Sequence, residues 1–191
     1  MVKEAGTSAA PTGRDNLLDA VIQLLLDDGI SNKSQRQIAA DIATSHRMLR
    51  YHFGDLRDMI SAAVAEIRRR ETEAFDELLE RCVKLDTRSA LELFWEHNSG
   101  PELRKYFRLL FEYWGIALSD REHFQGLLSG IVSTWTDRLT PILERNGAAG
   151  DARTSARLAV GALRGLLLDL VTTDDFDEVN AAFRLLIARL E

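Results

Sequence analysis

The chain has 191 residues, 46% hydrophobic and 28% charged, with 12 Gly and 3 Pro; this fits one ordinary domain or a small module fused to a larger one, and excludes wholesale disorder and collagen-like structure. A single cysteine, Cys82, excludes an internal disulfide and a thiolate zinc cluster and points to a reducing, cytoplasmic compartment. The net charge of −6, from 24 Lys and Arg against 30 Asp and Glu, excludes an overall basic coat for nucleic acid, and no apolar run is long enough for a signal peptide or a bilayer span.

The pattern predicts an all-α protein. Apolar residues recur at three and four, without β-branched alternation and without an Asn-Gly hairpin joining strand-like runs. Residues 1–13 read as a loose arm. The first helix covers 14–28, with Leu18, Val21, Ile22 and Leu25 on one stripe and Gly29 as its stop. Ser34 caps a short helix over 35–42, Ser45 caps another to about His52, and Gly54 breaks the chain. A long helix follows over 56–81. Beyond it the spacing predicts helices over 89–97, 101–118 and 121–146, the last kinked or split by Pro141, and then over 151–171 and 175–190. The total is about nine helices.

The two short helices form a helix-turn-helix, in which the second helix can enter the DNA major groove. Ile38, Ile42, Leu49 and Phe53 set the crossing angle, small Ala39 and Ala43 allow close approach, and His46, Arg47, Arg50 and Tyr51 remain for the exposed face. A guanidinium can pair with guanine O6 and N7 or hold a phosphate. Residues 31–60 carry five bases, Lys33, Arg36, Arg47, Arg50 and Arg57, against Asp41, Asp55 and Asp58, so this stretch is locally basic on an acidic chain. From spacing alone, a solvated face on a helical hairpin remains the alternative.

The stretch SQRQIAADIATSHRMLRYHFGDLRDMI, Ser34 to Ile60, resembles the DNA-binding domain of the TetR family of bacterial transcriptional regulators. Ile38-Ala39, Thr44-Ser45 and His52-Phe53-Gly54 carry the likeness. The resemblance implies a DNA-binding domain over 14–55 and a helical effector-binding and dimerisation domain over 56–191. It places Ser34, Gln35 and Arg36 near one DNA backbone strand, and Ser45, His46, Arg47, Met48 and Arg50 at bases or phosphates. Tyr51 and His52 fall at phosphates, although His52 can equally pack at its helix end. Ala43 stands where the family usually has Gly, which requires its backbone to stay out of the left-handed region. Leu56 replaces the usual Lys, so Arg57 or the helix N-terminus has to supply that phosphate contact.

In the body, 151–171 is apolar nearly all round, so it needs cover on both sides. Leu163, Leu166, Leu167 and Leu170, with Phe183, Leu186 and Ile187 of the last helix, are expected at a two-fold interface, with Arg184, Arg189 and Glu191 outward; wrapping of one monomer's core is the alternative. A homodimer requires a near-palindromic operator with half-sites a multiple of ~34 Å apart. The aromatic residues Phe94, Trp95, Phe107, Phe111, Trp114, Phe124 and Trp135 either line an effector pocket or form core. Scarce buried positive charge is expected there, which suggests a neutral or lipophilic small molecule. His97 and His123 lack helically spaced co-ligands, so neither a metal nor another cofactor is expected. The expected function is a ligand-responsive regulator, by resemblance a repressor, acting on double-stranded DNA and not at a membrane. GxSxG, HExxH, GxxxxGK[ST] and CxxC motifs are all absent, which argues against an enzyme. An all-helical enzyme and a protein-binding adaptor are the competing readings.

Overall fold

Ser34, Ser45, Asp55, Asp86, Asp151 and Asp175 each accept from a backbone N–H at the start of a helix, satisfying a donor that helix termini leave open. The computed structural model describes residues 13–30, 33–82, 85–125, 128, 130–147 and 151–190. The expected arm therefore lies outside the described residues apart from Gly13, and so does Glu191. Among the described residues there are nine helices and no strand: α1 (Arg14–Asp28), α2 (Gln35–Asp41), α3 (His46–Phe53), α4 (Leu56–Cys82), α5 (Thr87–Ser99), α6 (Pro101–Ser119), α7 (Ser133–Arg145), α8 (Ala152–Thr173) and α9 (Phe176–Leu190). None is long and apolar enough to cross a membrane.

The chain divides into two compact units, one ending at Arg69 and the other starting at Arg70. The break thus falls inside α4, fourteen residues beyond the expected boundary at 55. The reason is burial: Met59, Ile60, Ala63, Val64 and Ile67 are all buried, so the first turns of α4 complete the N-terminal unit. In that unit Leu17, Leu18, Val21, Ile22 and Leu25 of α1 are buried with Ile38, Ala39, Leu49 and Phe53 of α2 and α3. The Arg14 guanidinium lies 5.5 Å from the centre of the Phe53 ring.

In the second unit α8 is the central helix, packing most extensively on α7 and also on α5, α6 and α9. Asp151 caps it by accepting from Thr154 N at 2.8 Å. Leu139, Ile142 and Leu143 of α7 cluster with Phe75, Ala156 and Val160, and Arg138 clamps Asp76 through two bonds of 2.6 and 2.9 Å. Pro141 neither splits nor ends α7, which continues through it to Arg145. The expected helix over 121–146 breaks upstream instead, in turns at 121–124 and 130–132, where Gly130 weakens helix propensity.

Candidate functional site

The helix pair α2–α3 is built by its caps. The Ser34 hydroxyl accepts from Gln37 N while the Gln37 side chain accepts from Ser34 N at 2.8 Å, a reciprocal capping box. Ser34 also donates its hydroxyl to Gln37 Oε1, so its side chain is committed to the cap. At the far end of α2, Thr44 N donates to Ala39 O (2.8 Å) and Ala43 N to Ala40 O (3.1 Å). This pair of bonds is a Schellman motif, which places its closing residue in the left-handed region. That residue is Ala43, at φ 54°. The expectation that Ala43 avoids this region is therefore overturned: closing the turn outweighs a steric cost of roughly 1–2 kcal/mol for a residue with a Cβ.

Ser45 caps α3 by accepting from Met48 N at 3.2 Å. Leu49 and Phe53 anchor the helix inward, Leu49 with no exposed surface. On the other side Arg47, Arg50 and Tyr51 are exposed, three and four residues apart and hence on one face. Tyr51 is 80% exposed, and Met48 lies beside the group, also exposed. His46 and His52 are half-buried, His52 lying between the Tyr51 and Phe53 rings at 4.9 and 6.2 Å.

Gly54 closes α3 at φ 78°, and a Cβ there would come within 2.7 Å of Asp58 Oδ2. Its carbonyl accepts from Gln35 Nε2 at 3.1 Å. Gln35 is buried and also approaches Met59 Sδ at 3.9 Å. The side chain ties the start of α2 to the end of α3. Arg36, on the next residue, is exposed.

The acids near this face are engaged. Lys33 reaches Asp28 at 2.6 Å and Asp41 at 2.8 Å, and these bonds, Asp28 first, hold its ammonium above the ordinary lysine pKa. At the start of α4, Asp58 N donates to Asp55 Oδ1 (2.9 Å) and Asp55 N to Asp58 Oδ2 (3.3 Å). Two carboxylates occupy that N-terminus, so it offers no anion site; of the two expected substitutes for the missing Lys, only exposed Arg57 remains.

In the second unit a cavity of about 30 Å³ is lined by Phe94, Phe107 and Trp135, with Asn98, Tyr106 and Arg164. Three of the seven aromatic residues expected there are in place. Trp95 instead stacks on Phe183 at 4.7 Å and donates its indole N–H to Asn180 Oδ1, flooring a separate outer groove of about 510 Å³. Phe111 meets Trp114 edge-on at 5.4 Å, and Phe124 packs on buried Tyr113. Burial alone lowers the pKa of His97. Among the described residues, no group of three His, Cys, Asp or Glu could hold a metal ion.

Five of the seven residues expected at a subunit interface pack inward. Leu163, Leu167, Leu170, Phe183 and Ile187 are buried within this chain, and Leu166 and Leu186 are half-buried. Leu166 and Leu186 thus keep surface that the other five, packed in this monomer's core, do not. The outer face of α8 carries Leu158, Gly161, Gly165 and Leu168, and α9 adds Leu185; the three leucines are 61, 47 and 62% exposed respectively. A Cβ on either glycine would meet nothing within 4 Å.

No protein-family model matches the chain, and no curated protein matches it in sequence. Solved structures match in fold. A transcriptional regulator from Rhodococcus sp. Rha1 aligns with a TM-score of 0.72 at 18% identity, over 94% of this chain and 96% of that one. A TetR-family regulator from Agrobacterium tumefaciens gives 0.67 at 21%, over 93% and 99%. A TetR-family member from Streptomyces coelicolor A3 gives 0.64 at 24%, over 94% and 98%. The chain has the fold of these proteins, a helix-turn-helix unit followed by a helical body.

Proposed function

From a chain with the TetR-family fold, we propose a transcriptional repressor: a homodimer that binds a near-palindromic operator through α3 and is released by a small effector with an apolar body. The observation that carries the reading is the exposed Arg47–Arg50–Tyr51 face on a helix anchored by fully buried Leu49 and tied at its end through Gln35. Arg47 and Arg50 are the base- or phosphate-binding groups. Ser45, His46 and Met48 reach bases or phosphates beside them, and Arg36, Tyr51, His52 and Arg57 flank them as contacts to the DNA backbone. The DNA-binding domain is 14–55, supported by the first turns of α4, and 56–191 serves effector binding and dimerisation. The dimer forms through Leu158, Leu168 and Leu185, with Gly161 and Gly165 allowing close backbone approach. The repressor works in the cytoplasm and needs no cofactor or catalytic step.

The cavity behind Phe94, Phe107 and Trp135 has room for about one water, far below the ~300 Å³ or more of a small-molecule site. An effector that enters it forces its walls apart, and α4, which has residues in both units, carries that change toward the DNA face. A coupling of ~1–3 kcal/mol is enough to weaken operator binding 5- to 150-fold. Selection of genomic fragments on the purified protein tests the reading. Recovered fragments should share an inverted repeat; recovery of fragments with no common repeat would overturn it.

A further inference from the structure

We propose that Met48 selects the operator sequence: its thioether chain packs on the 5-methyl group of a thymine in each half-site. This deepens the DNA-binding reading above and rests on it. Among the described residues of the first unit, which ends at Arg69, two large hydrophobic side chains are exposed, Met48 (38%) and Tyr51 (80%). Both lie on the outer side of α3, three residues apart and hence on one face with Arg47 and Arg50. The large apolar side chains that this unit leaves uncovered are thus set among the guanidinium groups proposed to meet DNA.

Position and chemistry both narrow what Met48 meets. It is the third residue of α3, its backbone N–H held by the Ser45 cap at 3.2 Å. The first turn is the part of a recognition helix that contacts base edges. Leu49, the next residue, has no exposed surface, and a helix with Leu49 inward keeps Met48 outward. A thioether has no proton to donate and is a weak acceptor, so it forms no useful bond to a phosphate. In the major groove guanine, adenine and cytosine present acceptors and amino groups, and thymine alone adds a methyl. Met48 laid over any of the first three strips water from polar groups and returns no hydrogen bond, a cost that the thymine methyl avoids. The flexible, unbranched side chain can follow that methyl as the helix settles.

The test uses the full chain and an inverted-repeat duplex recovered by genomic selection. Each thymine of the half-site, on either strand, is replaced in turn by deoxyuridine, in both half-sites together. The exchange removes the methyl and leaves every hydrogen-bonding group in place. At one position affinity should fall about fourfold per half-site, the worth of one buried methyl, and so about fifteenfold for the symmetric duplex. Met48→Gln, which keeps the side chain's length and helix propensity, should bind the thymine and deoxyuridine duplexes alike at that position. Met48→Leu should retain most of the difference. If every replacement leaves wild-type affinity unchanged, the assignment is overturned, whether or not the variants fold. A penalty that survives undiminished in folded Met48→Gln belongs to another side chain and also overturns it, as does a half-site without thymine on either strand. Failure to recover any common repeat sinks the DNA-binding reading and this assignment together; a repeat bound without regard to the methyl sinks this assignment alone.

Discussion

Helices α3 and α8 both bury one face by the same three-and-four spacing, yet they leave opposite chemistry outside. The outer side of α3 is Arg47, Arg50 and Tyr51; that of α8 is Leu158, Gly161, Gly165 and Leu168. A charged, hydrogen-bonding edge suits a polar, anionic partner, whereas a leucine and glycine seam suits another protein backbone. The difference shows that the inward face of a helix reports the fold, while the outward face reports the partner.

The largest expected effect separates the inner and outer faces of α8. Leu163→Ala should cost ~3 kcal/mol of body stability, as for other buried leucines, in urea melts, and leave the oligomer intact. Leu158→Glu combined with Leu185→Glu should halve the sedimenting mass with little loss of helicity; an unchanged mass would remove this seam from the interface. Next comes the outer side of α3. Arg47→Ala should lower specific operator affinity by ~1–3 kcal/mol without changing the melting temperature, and a mobility shift with wild-type affinity would exclude Arg47 from readout.

A smaller effect has the opposite sign. Ala43→Gly should stabilise the N-terminal unit by ~1 kcal/mol, since glycine meets no Cβ penalty at φ 54°; a destabilised variant would contradict the strained turn. The smallest concerns acid. Arg138 bonds to Asp76 and holds its carboxyl below the usual range. A lowered folded-state pKa contributes stability above the unfolded value, ~3.9, and loses it as pH falls through the folded one. Because the pair is partly exposed, Asp76→Asn should cost under ~1 kcal/mol at neutral pH and flatten the acid limb of the stability curve below about pH 4.

Much of the fold was legible because its signals are local. Ser34 and Ser45 mark helix starts, Gly29 and Gly54 mark stops, and the Arg47 face follows from the burial of Leu49 two residues on. What escaped depended on distance or symmetry. Leu163 and Leu158 look alike on a helix apolar all round, and packing against α7 and α9 decides which turns inward. Gln35 reads as a polar helix start until the Gly54 carbonyl, 19 residues away, accepts from it. Arg164 joins the aromatic cavity only through tertiary packing. Pro141 was a strong break signal that α7 absorbed, while the quieter Gly130 turn ended the preceding segment.

The central claim, that α3 binds duplex DNA through its guanidinium groups, is tested most directly by the salt dependence of affinity on a recovered inverted repeat. Neutralised phosphates release counterions, so log affinity should fall linearly with log salt, at about 0.9 per phosphate contact, and Arg50→Ala should reduce the slope by about one contact per subunit. An affinity indifferent to salt, or no binding at low ionic strength, would contradict the account.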